Sequence, residues 1–158
     1  MRFMIMVRAN ALSESGEPPD DVEIFAQMAR YHEELAKAGV LLDASGLHPS
    51  SRGFRVRYTN GKPAIVDGPF TETKELIAGY TLIQVRSRDE ALEWARRFPS
   101  PFGTHGDSEI EVRQLYELED LPQCEGVEAF RQLYELEDLP QCEGVEAFRQ
   151  LDVQNKAS

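Results

Sequence analysis

Arg2-Phe3-Met4-Ile5-Met6-Val7-Arg8, residues 2–8, is the stretch on which the architecture turns. Successive side chains of a strand point to opposite faces, so Phe3, Ile5 and Val7 share one face and Met4 and Met6 the other. Both faces are apolar. Such a strand belongs in the middle of a sheet that is covered on both sides. The run is far too short to span a bilayer or act as a signal peptide, so it reads as a first strand.

Downstream, Pro18-Pro19-Asp20-Asp21 leads into a helix, with Asp20 and Glu23 at capping-box spacing. Ile24, Met28, Tyr31, Leu35 and Ala38 recur at helical intervals, and Gly39 stands where a C-terminal cap belongs. Residues 40–47 read as the second strand. Phe54–Tyr58 and Lys62–Val66 form a hairpin across Thr59-Asn60-Gly61, because Asn-Gly accepts the positive φ angles of a tight turn. Residues 80–85 give the next strand. Ser87 and Glu90 form a second capping box, for a helix with Ala91, Leu92, Trp94, Ala95 and Phe98 inward, stopped by Pro99. A Pro/Gly-rich loop at 99–108 precedes the last core strand, expected over 109–117.

This order, β-α-β-hairpin-β-α-β, predicts an α+β, ferredoxin-like sandwich. Two helices cover only one face of its sheet. The second apolar face of residues 2–8 calls for another cover, and the simplest is a second copy of the chain, sheet against sheet.

Asp67-Gly68-Pro69-Phe70-Thr71-Glu72-Thr73-Lys74-Glu75-Leu76 follows the strand-like Ala64-Ile65-Val66. Asp-Gly signals a turn, and Pro69 fixes its own φ while pushing Gly68 toward extended geometry. Two readings stay open: a polar corner between strands, or a rigid corner presenting Asp67, Glu72 and Lys74 into a cleft.

These residues resemble the signature of the YCII-related family, in the branch often called DGPF proteins. Ala38-Gly39-Val40-Leu41-Leu42, Gly46-Leu47-His48-Pro49-Ser50, Glu75-Leu76-Ile77-Ala78-Gly79-Tyr80 and Glu111-Val112-Arg113 look like that branch, in the same order, over residues 1–120. The resemblance implies a homodimer in which two sandwiches build a dimeric α/β barrel. It implies no one reaction. Distant relatives on this scaffold include cofactor-free enzymes acting on hydroxylated aromatics. Family members are also often encoded beside extracytoplasmic-function sigma factors, which points instead to a non-catalytic accessory or regulatory protein with a protein partner. In the YciI branch a helix-borne His and an Asp in an Asp-Pro step are the proposed active pair. The matching positions here read Met28 and Phe98-Pro99, so that pair does not carry over.

The 158 residues suffice for one domain, residues 1–120, and a tail, residues 121–158. A net charge of −11 leaves no basic excess to displace phosphate counterions, which argues against nucleic acid. No apolar run reaches spanning length, so no membrane partner and a cytoplasmic location are expected. Cys124 and Cys142 lie in identical contexts and fit a reduced compartment without a disulfide. Three scattered histidines and a duplicated cysteine give no metal spacing, and no nucleotide-binding fingerprint is present, so no cofactor is expected.

The tail repeats itself. Residues 113–130 read RQLYELEDLPQCEGVEAF, and residues 131–148 repeat them unchanged. Solenoid repeats are longer, more numerous and divergent, so this is a tandem duplication. Each copy holds five acids against one arginine, so a single-copy chain of 140 residues would carry −7 rather than −11. The copies cannot share one environment, since only the first follows Glu109-Ile110-Glu111-Val112. The second instead follows Glu125-Gly126-Val127-Glu128-Ala129-Phe130, and across that junction Val127, Phe130, Leu133, Tyr134 and Leu136 or Glu137 approximate helical spacing, which predicts a helix over 127–137.

Among candidate site residues, His48 ends the second strand, where strand ends border clefts, and an imidazole suits proton transfer near neutrality. Asp67 becomes a general base if its cleft is desolvated; a turn cap is the rival account. Lys74 and Arg113 could hold an anion or a developing oxyanion, or pair with Glu72, Glu75 or Glu111. Phe70 is an aromatic anchor, and His105 a loop residue able to act as a lid. His32, at the polar border of the first helix, is expected on the surface. The expected function is a small-molecule-binding homodimer. It would perform lyase-like proton transfer through Asp67 and His48 on a small polar or aromatic metabolite, against the non-catalytic alternative above.

Overall fold

The computed structural model describes residues 1–17, 22–103 and 107–137. The chain divides into two units, Met1–Leu115 and Tyr116–Ser158.

In the first unit, β1 (Arg2–Arg8) is followed by α1 (Ala11–Ser15), α2 (Glu23–Lys37), β2 (Leu41–Gly46), β3 (Phe54–Thr59) and β4 (Lys62–Asp67). Then come β5 (Ile77–Gln84), α3 (Arg88–Arg96) and β6 (Ile110–Gln114). The main sheet has the order β2-β5-β1-β6, and every neighbouring pair in it is antiparallel. α2 and α3 each connect strands separated by one strand in the sheet. The architecture is mixed α+β with antiparallel sheets, consistent with a ferredoxin-like plan.

The alternation in β1 sorts its residues as expected. Phe3, Ile5 and Val7 are buried, and Phe3 and Ile5 gather with Tyr31 and Leu35 of α2, Ile83 of β5 and Ala91 of α3. Ile5 lies between Thr81 and Val112 in the register. Met4 and Met6, paired with Leu82 and Tyr80, are only half-buried on the other face. Burial of the inner face supplies the main driving force, at about 25 cal/mol for each Å² of apolar surface.

Local chemistry sets the ends of the elements. Gly39 takes φ 71°, and the Val40 N–H closes α2 by donating to Leu35 O at 3.0 Å. Asn60 and Gly61 take φ 50° and 76° at the β3–β4 turn. α1 was not foreseen. Its Asn10 side chain accepts from the Ser13 N–H at 2.9 Å, and Ser13 Oγ accepts from the Asn10 N–H at 3.0 Å. The Ser87–Glu90 box forms in part: Ser87 accepts the Glu90 N–H, but the Glu90 carboxylate takes the N–H of Arg86. Leu92, expected inward, is exposed. Asp20, expected to cap α2, lies outside the described residues.

β3 and β4 form a sheet of their own. Phe54, Val56 and Tyr58 share a face with Pro63 and Ile65, their cross-strand partners or neighbours. That face is open to solvent, with Tyr58 70 % and Ile65 71 % exposed.

In the second unit, α4 spans Glu125–Glu137. The two copies of Arg-Gln-Leu-Tyr-Glu-Leu-Glu therefore differ in backbone. Arg113 and Gln114 end β6, ahead of extended residues and a short helical turn at Leu118–Asp120. Residues 131–137 are helix throughout. The strand expected over 109–117 is thus shorter, while the helix begins two residues earlier than expected.

Candidate functional site

A cleft of about 610 Å³ opens beside the inner face of the main sheet. Its floor is strand: Val7 of β1, Ala44 to Gly46 of β2, and Ala78 to Thr81 of β5. Phe25, Met28 and His32 of α2 form one side. They sit at i, i+3 and i+7, so a single stripe of the helix supplies all three. Leu12, Ser13, Gly16 and Glu17, with Leu47-His48-Pro49, form the outer wall. Phe98, Pro101 and Phe102 add aromatic and apolar surface.

The most constrained polar pair in this wall is His32 with Thr81. Thr81 is 1 % exposed on the inward row of β5, and its Oγ1 lies 2.9 Å from His32 Nε2. A hydroxyl in such a row needs a partner, because burying it unpaired costs about 1–3 kcal/mol. Burial holds the His32 pKa below its ordinary 6.5, since the charged ring is poorly solvated there. Nε2 is engaged by Thr81, so Nδ1 is the ring atom left to exchange a proton. If Nε2 carries the hydrogen and donates to Oγ1, Nδ1 is a base; in the other tautomer it is a donor. The surface placement expected for His32 is corrected: the ring turns toward β5 because Thr81 offers it a partner.

His48 is exposed in the outer wall, with Arg52 Nη1 at 3.3 and 3.2 Å from its two ring nitrogens. Other sequence candidates lie elsewhere. Asp67, the last residue of β4, is exposed, and its side chain makes no hydrogen bond or ion pair among the described residues. Neither it, nor Phe70, Glu72 or Arg113, is among the residues lining the cleft. Arg113 is exposed on β6, 3.9 Å from Glu111, which also pairs with Arg8 at 3.3 Å. Lys74 belongs to the helical turn Thr73–Glu75, and His105 lies outside the described residues. The structure thus brings His48 together with His32 and Thr81, not with Asp67. Among the described residues, no group of three or more His, Cys, Asp or Glu could hold a metal ion. No described helix is long and apolar enough to cross a membrane.

The YCII-related domain profile matches residues 1–118, a span that includes every wall residue of the cleft. The chain belongs to the YCII-related family. A relative, an uncharacterized protein of Rhizobium meliloti (strain 1021), is 31 % identical over 103 residues, 65 % of this chain and 83 % of that one. Among solved structures, a 5-chloro-2-hydroxyhydroquinone dehydrochlorinase from Burkholderia phenoliruptrix AC1100, in complex with 2,5-dihydroxybenzoquinone, is similar at a TM-score of 0.41. It shares 15 % identity, covering 73 % of this chain and 94 % of that one. At that level the likeness carries no argument about this YCII-related protein.

Proposed function

We propose that this YCII-related protein binds a compact, largely aromatic metabolite in the cleft and exchanges a proton with it at His32 Nδ1. The observation that carries the reading is the His32–Thr81 pair in a mostly apolar and aromatic wall, whose other polar residues include Ser13, Glu17, Ser45 and His48. Few polar groups, fixed in orientation, inside an apolar concavity are what a small-molecule site requires. Burial keeps His32 neutral near pH 7, so it is ready to accept a proton from a ring hydroxyl or an acidified C–H. Thr81 holds the ring in place, and His48 at the outer wall meets a polar substituent. This is acid–base chemistry of the lyase kind, and the chain supplies its own proton acceptor.

The working unit is a homodimer. Met4, Met6 and Leu82 on the outer face of the main sheet give a second copy an apolar surface to cover. The open hairpin face is a further apolar surface that a second copy could cover, since two-stranded sheets are marginal in water unless covered.

Native mass spectrometry of protein purified from its own host tests both statements. The expected species is a dimer carrying a small adduct, with the adduct lost and the dimer kept in Met28→Trp, which fills the cleft. A wild-type dimer without an adduct would sink the ligand reading. A monomer would sink the other.

A further inference from the structure

We propose that the Asp67–Phe70 corner is a clasp that positions the outer wall of the cleft, acting through Ser50 and Glu14. The inference rests on the cleft being a ligand site, and it assigns the corner a positioning role instead of proton chemistry.

The corner and the loop after β2 are in close contact. A Cβ on Gly68 would lie 1.8 Å from Ser50 O and 2.7 Å from Ser50 C, so no side chain fits there. The Gly68 N–H donates to Gly53 O at 3.0 Å. The Phe70 N–H donates to Ser50 Oγ at 3.1 Å, and the Arg55 guanidinium lies 3.9 Å above the Phe70 ring. Ser50 then passes the connection on. Its N–H donates to the Glu14 carboxylate, 3.1 Å from Oε2 and 3.2 Å from Oε1, and its hydroxyl donates to Glu14 Oε2 as well.

Glu14 belongs to α1, and its neighbours Leu12, Ser13, Gly16 and Glu17 line the cleft. Ser50 directly follows His48 and Pro49, which line it too. One serine therefore ties three segments together, two of which are cleft wall. α1 needs such a tether. It has five residues and buries none of them, and a helix that short does not hold its place in water unaided. A bond to a charged acceptor is the stronger kind, so the Glu14 carboxylate is a suitable anchor.

The experiment uses the full chain with the uncharged fluorophore phenylnaphthylamine as probe. Wild type and Met28→Trp come first: a probe that fails to bind wild type, or ignores Met28→Trp, refutes the cleft reading itself. With the probe placed in the cleft, Ser50→Ala and Glu14→Gln are expected to weaken its binding about tenfold. Ser50→Thr, which keeps the hydroxyl, is expected to restore most of it. Amide exchange in Ser50→Ala should rise at residues 11–17 and stay unchanged in β1 and β5. The clasp is refuted if Ser50→Ala binds the probe as wild type does while Met28→Trp still blocks it. It is equally refuted if exchange rises uniformly, since that reports general destabilisation.

Discussion

The two faces of the main sheet carry similar residues and do different things. On the inner face Phe3, Ile5 and Ile83 are packed under α2 and α3, and the buried hydroxyl there, Thr81, is matched by His32. On the outer face Met4, Met6 and Leu82 sit half-buried between polar neighbours, with Tyr80 bonded to Asp43 at 2.6 Å and Arg8 to Glu111. The inner face is complete within one chain. The outer face keeps an apolar centre inside a polar rim, the layout expected of the interface in the proposed dimer. Substitutions on the two faces should therefore report different quantities: folding on one, association on the other.

The largest effect is expected where packing is complete. Ile5 and Leu35 are both 0 % exposed and belong to one cluster. Leu35→Ala should cost about 2–5 kcal/mol, from lost transfer energy and the cavity left behind. Urea denaturation would show this as a lower midpoint with the slope unchanged. Met6→Arg comes next, and on the opposite face it should leave the monomer's midpoint almost alone. A charge placed against its own copy in a two-fold interface should weaken association by roughly 2 kcal/mol or more, about 30-fold. Sedimentation at graded concentrations reads that directly. Loss of folding without loss of association would undo the division between the faces.

Thr81→Val gives a smaller effect on the inner face. It removes the partner of His32 while keeping the volume, and should cost about 1 kcal/mol because the freed Nε2 can turn to cleft water. A pH titration sharpens the point. His32 is held below 6.5 in the folded chain, so the unfolded chain binds more protons just below that value. Stability should therefore fall as pH drops through 6.5, and His32→Gln should flatten that part of the curve. Tyr31, whose pKa burial pushes up to about 12, adds no slope in this range.

What the sequence made legible follows from how local each signal is. The alternation of residues 2–8 and the Asn60-Gly61 turn need no distant partner, and both appear in the fold. The cleft depends on pairs far apart in the chain. His32 read as a surface residue at the polar border of the first helix, because its orientation is set by Thr81, 49 residues away. The corner at Asp67 read as charged side chains, whereas its tightest contact is Gly68 against a carbonyl, which no spacing reveals. The repeated words state the limit most plainly. Arg113-Gln114 prolongs a strand already paired with β1, where Val112 faces Ile5. Arg131-Gln132 prolongs a helix already begun at Glu125, with the Val127 and Glu128 N–H groups both on Cys124 O. Propagation is cheap once a nucleus exists, so the preceding residues decide.

The smallest effect expected is that of Tyr80→Phe, and its position next to Thr81 makes it informative. The two residues are adjacent in β5, each makes one side-chain hydrogen bond, and they point to opposite faces. In Thr81→Val the half-buried His32 ring loses its partner, and only cleft water can replace it. Tyr80 and Asp43 lie at the surface, where water replaces either one, although their bond raises the tyrosine pKa. Tyr80→Phe should therefore leave the urea midpoint of the dilute monomer within experimental scatter. At high concentration a covered outer face changes that expectation. The Asp43 carboxylate would then be buried without its donor, and the dimer should weaken while the monomer does not. A midpoint that falls equally at both concentrations would mean that the outer face is already closed within one chain.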